Sequence, residues 1–254
     1  MIRVVNLDKS FGHQRVLRGV TLDVATAEIM VVIGRSGGGK SVLLKHLIGL
    51  LHPDAGGVLV DGTDITRLRG TALDKVRARY GVVFQGGALF DSMSVEDNVA
   101  FPLREKSRLS AAEIRERVEE KLAQVGLAGM GTKNPAEISG GMRKRVAIAR
   151  ALVTEPEVVF LDEPTTGLDP ILVNTIHHLI LELHRKSRFT AVMVSHEIPE
   201  IFRIADRVAM LHEGVIVESG PPAAIQASTH PIVQQFIQGD IEGSGGAAAR
   251  DARS

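Results

Sequence analysis

Short apolar runs alternate along this chain with longer stretches in which apolar residues recur at helical spacing. Continuous apolar segments occupy residues 29–33, 158–162 and 191–195, and residues 80–85 form a similar segment that ends in a polar side chain. Such segments predict strands that are buried on both faces. Because helical stretches separate them, the pattern predicts a parallel sheet with helices packed on both of its faces.

Residues 1 to about 33 have the pattern of short strands joined by turns, such as the turn at 11–13. Residues 57–62 are typical of a strand that ends in an Asp-Gly turn. Amphipathic spacing predicts helices over 42–48 and 171–186. These elements belong with the predicted sheet.

The pattern changes from about Glu96 to Leu152, where charges are frequent and β-branched runs are few. A well-patterned amphipathic helix is predicted over 111–122, with Ser110 as its N-cap. We therefore predict a helical subdomain inserted into the sheet core. The predicted organisation is a core over 1–90 and 155–225, a helical subdomain over 91–154, and a C-terminal tail over 226–254 that is disordered from about residue 239.

Composition excludes several classes of protein. The chain has 254 residues, with 30 Lys plus Arg and 30 Asp plus Glu, so its formal charge is zero. This balance argues against a dedicated nucleic-acid binder, which usually has a basic excess. The lack of cysteine excludes disulfides and thiolate chemistry. We expect a cytosolic chain, because no leader-like segment or apolar run of membrane-spanning length occurs, so a membrane role requires a partner.

A glycine-rich loop at 34–41 follows the predicted strand 29–33 and opens the predicted helix 42–48. It fits the pattern G-x-x-x-x-G-K-[ST], in which main-chain N–H groups wrap around phosphates. Lys40 supplies positive charge for the β- and γ-phosphates, and Ser41 offers a hydroxyl to Mg²⁺. The predicted nucleotide-binding residues are Gly34, Arg35, Ser36, Gly37, Gly38, Gly39, Lys40 and Ser41.

Two adjacent carboxylates end the apolar strand at 158–162. Asp162 can hold Mg²⁺ directly or through water, and Glu163 can polarise an attacking water. A pair of carboxylates with different positions suits hydrolysis better than binding alone. We therefore predict that the nucleotide is hydrolysed.

His196 and Gln85 each follow a predicted strand. Ligands of parallel sheets bind at the carboxyl ends of the strands, so both side chains should emerge beside the phosphate-binding loop. His196 can donate to the γ-phosphate or hold the water. Gln85 can coordinate Mg²⁺ or water through its amide oxygen and sense the γ-phosphate.

A second anion site is predicted at residues 139–142, which precede a basic helical run. Ser139 can cap the helix, while Gly140, Gly141 and Met142 expose N–H groups at its positive end. If the helical insertion holds the two anion sites apart, one nucleotide could bridge two chains. We expect at least two of the three basic residues at 143–145 to lie on a solvated face.

In this order the motifs resemble those of the ATP-binding subunits of ABC transporters, over residues 1–225. The resemblance places Walker A at 34–41, Walker B at 158–163 and the signature at 138–142. It places the Q-loop at Gln85, the D-loop at 166–169 including Asp169, and the switch histidine at His196. Phe11 lies where the family has an aromatic residue that stacks on adenine. Three positions depart from the family pattern. Met142 and Ile138 replace the usual Gln and Leu, which is mild, and Arg35 replaces a common Pro, with either phosphate contact or simple exposure open.

The resemblance is closer to the Mla phospholipid-transport ATPases of the MCE-linked group. It is carried by residues 84–105, by the signature that ends in Met142, and by residues 230–239. The resemblance implies a RecA-like P-loop NTPase core with an antiparallel β subdomain and an inserted α-helical subdomain. The implied partners are a transmembrane permease dimer, an MCE-domain protein and a small STAS-domain protein.

The expected function is ATP hydrolysis, with Mg²⁺, that drives phospholipid transport and maintains outer-membrane lipid asymmetry. The family implies a head-to-tail dimer in which ATP lies between 34–41 of one chain and 139–142 of the other. The segment after Gln85 is expected to receive the permease, with Phe90 as a contact, at the cytoplasmic face of the inner membrane. Two alternatives are an importer of amino acids or other small solutes, and a soluble ABC ATPase that is not tied to transport.

Overall fold

The structure is a computed structural model that describes residues 1–238. Its first sheet is antiparallel with strand order β2-β1-β4-β5, in which the strands are β1 Ile2–Phe11, β2 Gln14–Val24, β4 Ala55–Val60 and β5 Thr63–Asp64. The prediction of short strands in the first 33 residues was wrong for β1 and β2, which have 10 and 11 residues. Both continue because Val4, Leu7, Leu17 and Val20 bury one face of the ribbon while the other face stays in solvent.

The second sheet has six strands in the order β10-β9-β3-β8-β7-β6. The strands are β3 Ile29–Ile33, β6 Tyr80–Val83, β7 Val158–Asp162, β8 Thr190–Ser195, β9 Arg207–His212 and β10 Val215–Gly220. All neighbouring pairs are parallel except β9 with β10. Every residue of β3, β7 and β8 is buried, which confirms the prediction from the continuous apolar segments.

The helices are α1 Lys40–Leu47, α2 Gly70–Arg77, α3 Val95–Lys106, α4 Ala111–Gln124, α5 Gly140–Leu152, α6 Pro170–Ser187, α7 Pro222–Gln226 and α8 Pro231–Gln238. The predicted helices at 42–48, 111–122 and 171–186 are present as α1, α4 and α6. Ser110 caps α4 by accepting from the N–H of Glu113, and the Glu113 carboxylate completes the capping box by accepting from the N–H of Ser110. The sequence pattern did not predict α2, α7 and α8.

Two apolar cores lie on opposite faces of the parallel sheet. Val31 on β3 faces a core shared with α3, α4, α5 and α6, while Met30 faces a core shared with α1 and the antiparallel sheet. Helices α3 to α5 lie between β6 and β7 in the chain, as expected for a helical insertion. The boundaries at 90 and 155 remain predictions, and the predicted disorder from residue 239 falls outside the described residues.

Within residues 1–238 we find no helix with both the length and the apolar character needed to span a bilayer.

Candidate active site

The order of the parallel sheet places the carboxyl ends of β3, β8, β7 and β6 side by side. Ile33 pairs with Ser195, Asp162 with Val194, and Leu161 with Val83, so these strand ends are level with one another. The predicted polar residues therefore meet at one edge, as expected for a parallel sheet. We call this group the polar edge: Ser41, Gln85, Asp162, Glu163 and His196.

The loop at 34–41 turns sharply between β3 and α1, and two of its glycines have no room for a side chain. A Cβ on Gly34, whose φ is 153°, would lie 2.2 Å from the main-chain oxygen of Leu211. A Cβ on Gly39, whose φ is 96°, would lie 3.1 Å from the side chain of Leu17. The loop is thus fixed between β9 and β2, and its backbone can approach a ligand closely.

Lys40 is buried at the start of α1, with 4% of its surface exposed. Its Nζ donates to the main-chain oxygens of Gly34 at 2.8 Å and Arg35 at 3.0 Å, and lies 3.9 Å from Glu163 Oε1. Burial lowers the pKa of Lys40, and the neighbouring carboxylates of Glu163 and Asp162 oppose this shift. The arrangement concentrates positive charge inside the loop, where a polyphosphate can use it.

Ser41 and Asp162 form an oxygen pair next to the loop. Ser41 Oγ donates to Asp162 Oδ1 at 2.9 Å. Burial raises the pKa of Asp162, and the hydrogen bond from Ser41 opposes that rise. No group of three or more His, Asp or Glu that could hold a metal occurs in residues 1–238. A hydroxyl and one carboxylate fit Mg²⁺ that takes its remaining ligands from phosphate and water.

The carboxylate of Glu163 is contacted by three other side chains at or beside the polar edge. Its backbone adopts a left-handed φ of 47°, and its N–H donates to the oxygen of Val194 at 3.0 Å. Its carboxylate accepts from Gln85 Nε2 and from Thr166 Oγ1, each at 3.0 Å, and lies 3.2 Å from His196 Nδ1. A carboxylate held from three sides is oriented to act on a substrate water.

Gln85 reaches Glu163 with its amide, and its main-chain oxygen accepts a hydrogen bond from Lys144 Nζ. The proposal that Gln85 is a metal ligand stays a prediction. The expected solvated face at 143–145 was wrong for Lys144, which is buried, and Arg145 is half-buried with its guanidinium donating to the oxygen of Val125. The prediction failed because this side of α5 packs against the loop after β6 instead of facing water.

The signature segment, residues 139–142, begins α5. Ser139 Oγ accepts from the N–H of Met142 at 3.3 Å, which confirms it as an N-cap. A Cβ on Gly140 would lie 3.8 Å from Leu168, so the segment borders the loop before α6. Among residues 1–238, no hydrogen bond or ion pair joins the signature segment with the loop 34–41.

Three further predicted residues lie around these two regions. Asp169 caps α6 by accepting from the N–H groups of Ile171 and Leu172 at 3.0 Å. Phe11 lies at the end of β1, 47% exposed, with Lys9 Nζ 5.5 Å from its ring centroid. Arg35 is exposed, and its role stays open.

A buried layer behind the polar edge was missed by the sequence analysis. Thr165 Oγ1 donates to Glu197 Oε2, and that oxygen lies 3.7 Å from His177 Nε2. Burial lowers the pKa of His177 to about 4. Nothing local in the sequence signals this layer, because its members come from the loop after β7, the segment after β8 and the middle of α6.

Comparison with known proteins extends these observations. The family model described as ABC transporter matches residues 17–166. The chain is 45% identical to the probable ribonucleotide transport ATP-binding protein Mkl of Mycobacterium leprae, over 94% of this chain and 69% of that protein. It is 41% identical to the intermembrane phospholipid transport system ATP-binding protein MlaF of Escherichia coli K12, over 93% of this chain and 88% of that protein.

Among solved structures, the fold is similar to the dimeric post-hydrolysis state of the ATP-binding cassette MJ0796 bound to ADP and Pi. The TM-score is 0.80 at 31% identity, and the match covers 87% of this chain and 99% of that one. The similarity therefore includes almost the whole of a cassette.

Proposed function

Because this chain is an ATP-hydrolysing subunit of the ABC transporter family, we propose that it powers the movement of phospholipid by a membrane transporter. The similarity to MlaF supports this cargo, since it extends over 88% of a protein named for intermembrane phospholipid transport. Mkl is named for ribonucleotide transport, so the relatives' names differ on cargo. We propose phospholipid, because residues 84–105, the signature that ends in Met142 and residues 230–239 resemble the Mla group.

The convergence of polar groups on Glu163 is the observation that carries the catalytic part of the proposal. Glu163 would act as general base on the attacking water, and His196 would hold the γ-phosphate or that water. Lys40 and the N–H groups of the loop would bind the β- and γ-phosphates. Ser41 and Asp162, with Gln85 as a further candidate, would hold Mg²⁺, which neutralises phosphate charge when bound.

We further propose that two copies bind ATP between them in a head-to-tail dimer. The signature segment offers main-chain donors at the positive end of α5 but makes no polar contact with the loop 34–41 of its own chain within the described residues. In the proposed dimer, Ser139 to Met142 would meet the nucleotide of the partner chain, with Asp169 beside it and Phe11 stacking on adenine. The dimeric cassette of similar fold supports this arrangement.

The proposed permease contact lies on the segment that follows Gln85. Phe90 is 41% exposed, packs 5.0 Å from the ring of Phe101, and lies under the guanidinium of Arg150. Val95, on the same segment, is fully buried and belongs to the core. We propose that Phe90 anchors a permease dimer, and that an MCE-domain protein and a small STAS-domain protein complete the complex at the cytoplasmic face of the inner membrane.

Reconstitution with the permease tests the cargo. The complex is placed in vesicles, and ATP-dependent movement of labelled phospholipid is compared with uptake of labelled ribonucleotide and amino acid. We expect movement of phospholipid alone, and we expect none with Glu163→Gln. Uptake of either small solute without movement of lipid would refute the phospholipid proposal and favour the importer alternative.

A substitution tests the permease surface. Phe90→Ala should weaken assembly with the permease while ATP binding by the isolated chain is unchanged, because aromatic anchors dominate such interfaces. Leu50→Ala is the control, since Leu50 is also half exposed but follows α1. Assembly of Phe90→Ala equal to that of the control would remove Phe90 from the interface.

A further inference from the structure

Lys144 is a buried cation in the middle of a helix that starts at the signature segment. Only 8% of its surface is exposed, and its Nζ donates to the main-chain oxygen of Gln85. The two neighbouring basic residues point elsewhere, because Arg143 donates to the oxygen of Ile138 and Arg145 to that of Val125. Of this basic run, Lys144 is therefore the member directed to the polar edge.

Gln85 makes a hydrogen bond with its main chain and another with its side chain. Its main-chain oxygen accepts from Lys144, and its side-chain Nε2 donates to Glu163 Oε2 at 3.0 Å. The side chain itself is exposed, so little packing fixes it. Its direction consequently depends on where the backbone of residue 85 is held.

The charges around Lys144 show why a cation can remain there. Burial lowers its pKa, while the carboxylates of Glu197 and Glu163 raise it. A buried ammonium without such partners would be costly. With the main-chain oxygen of Gln85 and these two carboxylates around it, the ammonium is compensated and has a fixed place.

We propose that Lys144 is a positioning residue that fixes the backbone of Gln85, so that the Gln85 amide orients Glu163. A continuous set of contacts then runs from the helix that carries the signature segment to the proposed base of the same chain. The part of the inference that concerns the signature rests on the proposed head-to-tail dimer. In that dimer, a shift of α5 caused by the partner's nucleotide would reach Glu163 through Lys144 and Gln85.

The first test compares ATP hydrolysis by the full chain with and without the hydrogen bond from Lys144 to the main-chain oxygen of Gln85. Lys144→Met keeps the length of the side chain and removes the donor. We expect kcat to fall by about tenfold, the effect of losing one charged hydrogen bond, while nucleotide affinity stays within about twofold. Arg145→Met on the same helix is the matched control and should stay within about twofold of the wild type.

A double-mutant cycle separates positioning from a general loss of packing. If Lys144 acts through the Gln85 amide, Lys144→Met should cost little once Gln85→Ala has removed that amide, because the two effects are coupled. A further loss of about tenfold on the Gln85→Ala background would overturn the proposal. So would a kcat of Lys144→Met equal to that of Arg145→Met.

Folding of each variant is checked by thermal melting and by binding of a fluorescent ATP analogue. If Lys144→Met does not fold, it is replaced by Lys144→Gln, whose neutral amide ends one atom short of the Lys Nζ position and therefore loses the charged hydrogen bond, and the same criterion of coupling applies on both backgrounds. The assay contains no cargo or permease, so it is independent of the phospholipid proposal. Absence of hydrolysis in the wild type would count against the proposed function, whereas normal hydrolysis with no effect at Lys144 would count against this inference alone.

Discussion

The two helix ends that could bind phosphate are built in opposite ways. Helix α1 follows Gly39 in a left-handed conformation with no side chain capping it, and its first residues are the buried Lys40 and the half-buried Ser41. Helix α5 follows Ser139, whose own hydroxyl caps it, and its first turn contains no acidic residue. The α1 end has a buried cation and the carboxylates of Asp162 and Glu163 beside it, whereas the charged group next to the start of α5 is the guanidinium of Arg143.

The difference indicates how the work of the site is divided. The α1 end has a cation, an oxygen pair for metal and a carboxylate within one chain, so it can bind and orient a nucleotide by itself. In residues 1–238 the α5 end offers main-chain donors, the hydroxyl of Ser139 and the nearby guanidinium of Arg143, which can recognise phosphate but include no general base. Substitutions at the two ends should therefore differ in kind.

The largest effect is expected at the charged end. Glu163→Gln keeps the shape of the side chain and removes the proposed base, so hydrolysis should fall by roughly 10²- to 10⁴-fold while ATP still binds. Turnover and binding of a fluorescent ATP analogue are the measurements. Near-normal turnover would place the base on another residue.

Mixing two variants tests whether the ends belong to one shared site. Lys40→Ala should lose nucleotide affinity, because phosphate loses its fixed counter-ion, and Ser139→Arg should block the partner's phosphate. Each alone should be inactive. In a head-to-tail heterodimer one site carries both changes and the other carries neither, so mixing should restore part of the activity.

Heterodimer formation is verified with two different affinity tags. Mixtures that contain heterodimers and never exceed their parents would contradict the shared site.

The buried layer of Thr165, Glu197 and His177 should make the free energy of unfolding decrease in acid. The pKa of His177 is about 4 in the folded chain against an ordinary value of 6.5, because the ring is buried. Because the pKa of His177 is lower in the folded chain than in the unfolded chain, its contribution to the free energy of unfolding is fully present above about pH 6.5. That contribution, about 3 kcal/mol, is lost as the pH falls towards 4. His177→Leu should flatten this loss in pH-dependent melting.

Exposed His178 on the same helix provides the control, and His178→Leu should keep the wild-type slope. Equal slopes for His177→Leu and the wild type would show that the acid sensitivity arises elsewhere, such as from the buried His46 or His184.

The smallest expected effect is on the stability of the chain, when the N-cap of α5 is removed. Ser139→Ala removes the hydroxyl that accepts from Met142, and we expect a loss of about 1 kcal/mol in the free energy of unfolding. Chemical denaturation measures it. ATP binding by the single chain should not change. An equal loss of nucleotide affinity would mean that the two ends interact within one chain.

Local patterns were sufficient to predict some parts of the molecule. The loop 34–41 and the strand that ends at Asp162 and Glu163 can each be recognised from a pattern of a few residues. Ser110, as an N-cap residue, predicts the start of α4. The buried place of Lys144 could not be predicted in this way, because whether a helix face is solvated depends on what packs against it. The same holds for the left-handed backbone of Glu163, which its contact with Val194 stabilises.

The antiparallel sheet itself was expected, but the predicted short length of its first two strands was wrong for a different reason. Turn-forming residues at 11–13 were correctly taken as a break, but nothing in a short window indicates that β1 extends over 10 residues before the turn and β2 over 11 residues after it. Their length follows from the core on one face, to which α1 and β3 contribute. Pairing over such distances is tertiary information.

The position of β3 in the sheet has a consequence for how the chain is made. This strand, which leads into the loop 34–41, is flanked by β8 and β9, whose residues follow it by more than 150 positions. During synthesis β3 therefore cannot pair with β8 before residue 195 has left the ribosome, nor with β9 before residue 212 has, since parallel pairing over long separations forms late. Any factor that protects the nascent chain would have to act on β3 before its neighbours exist.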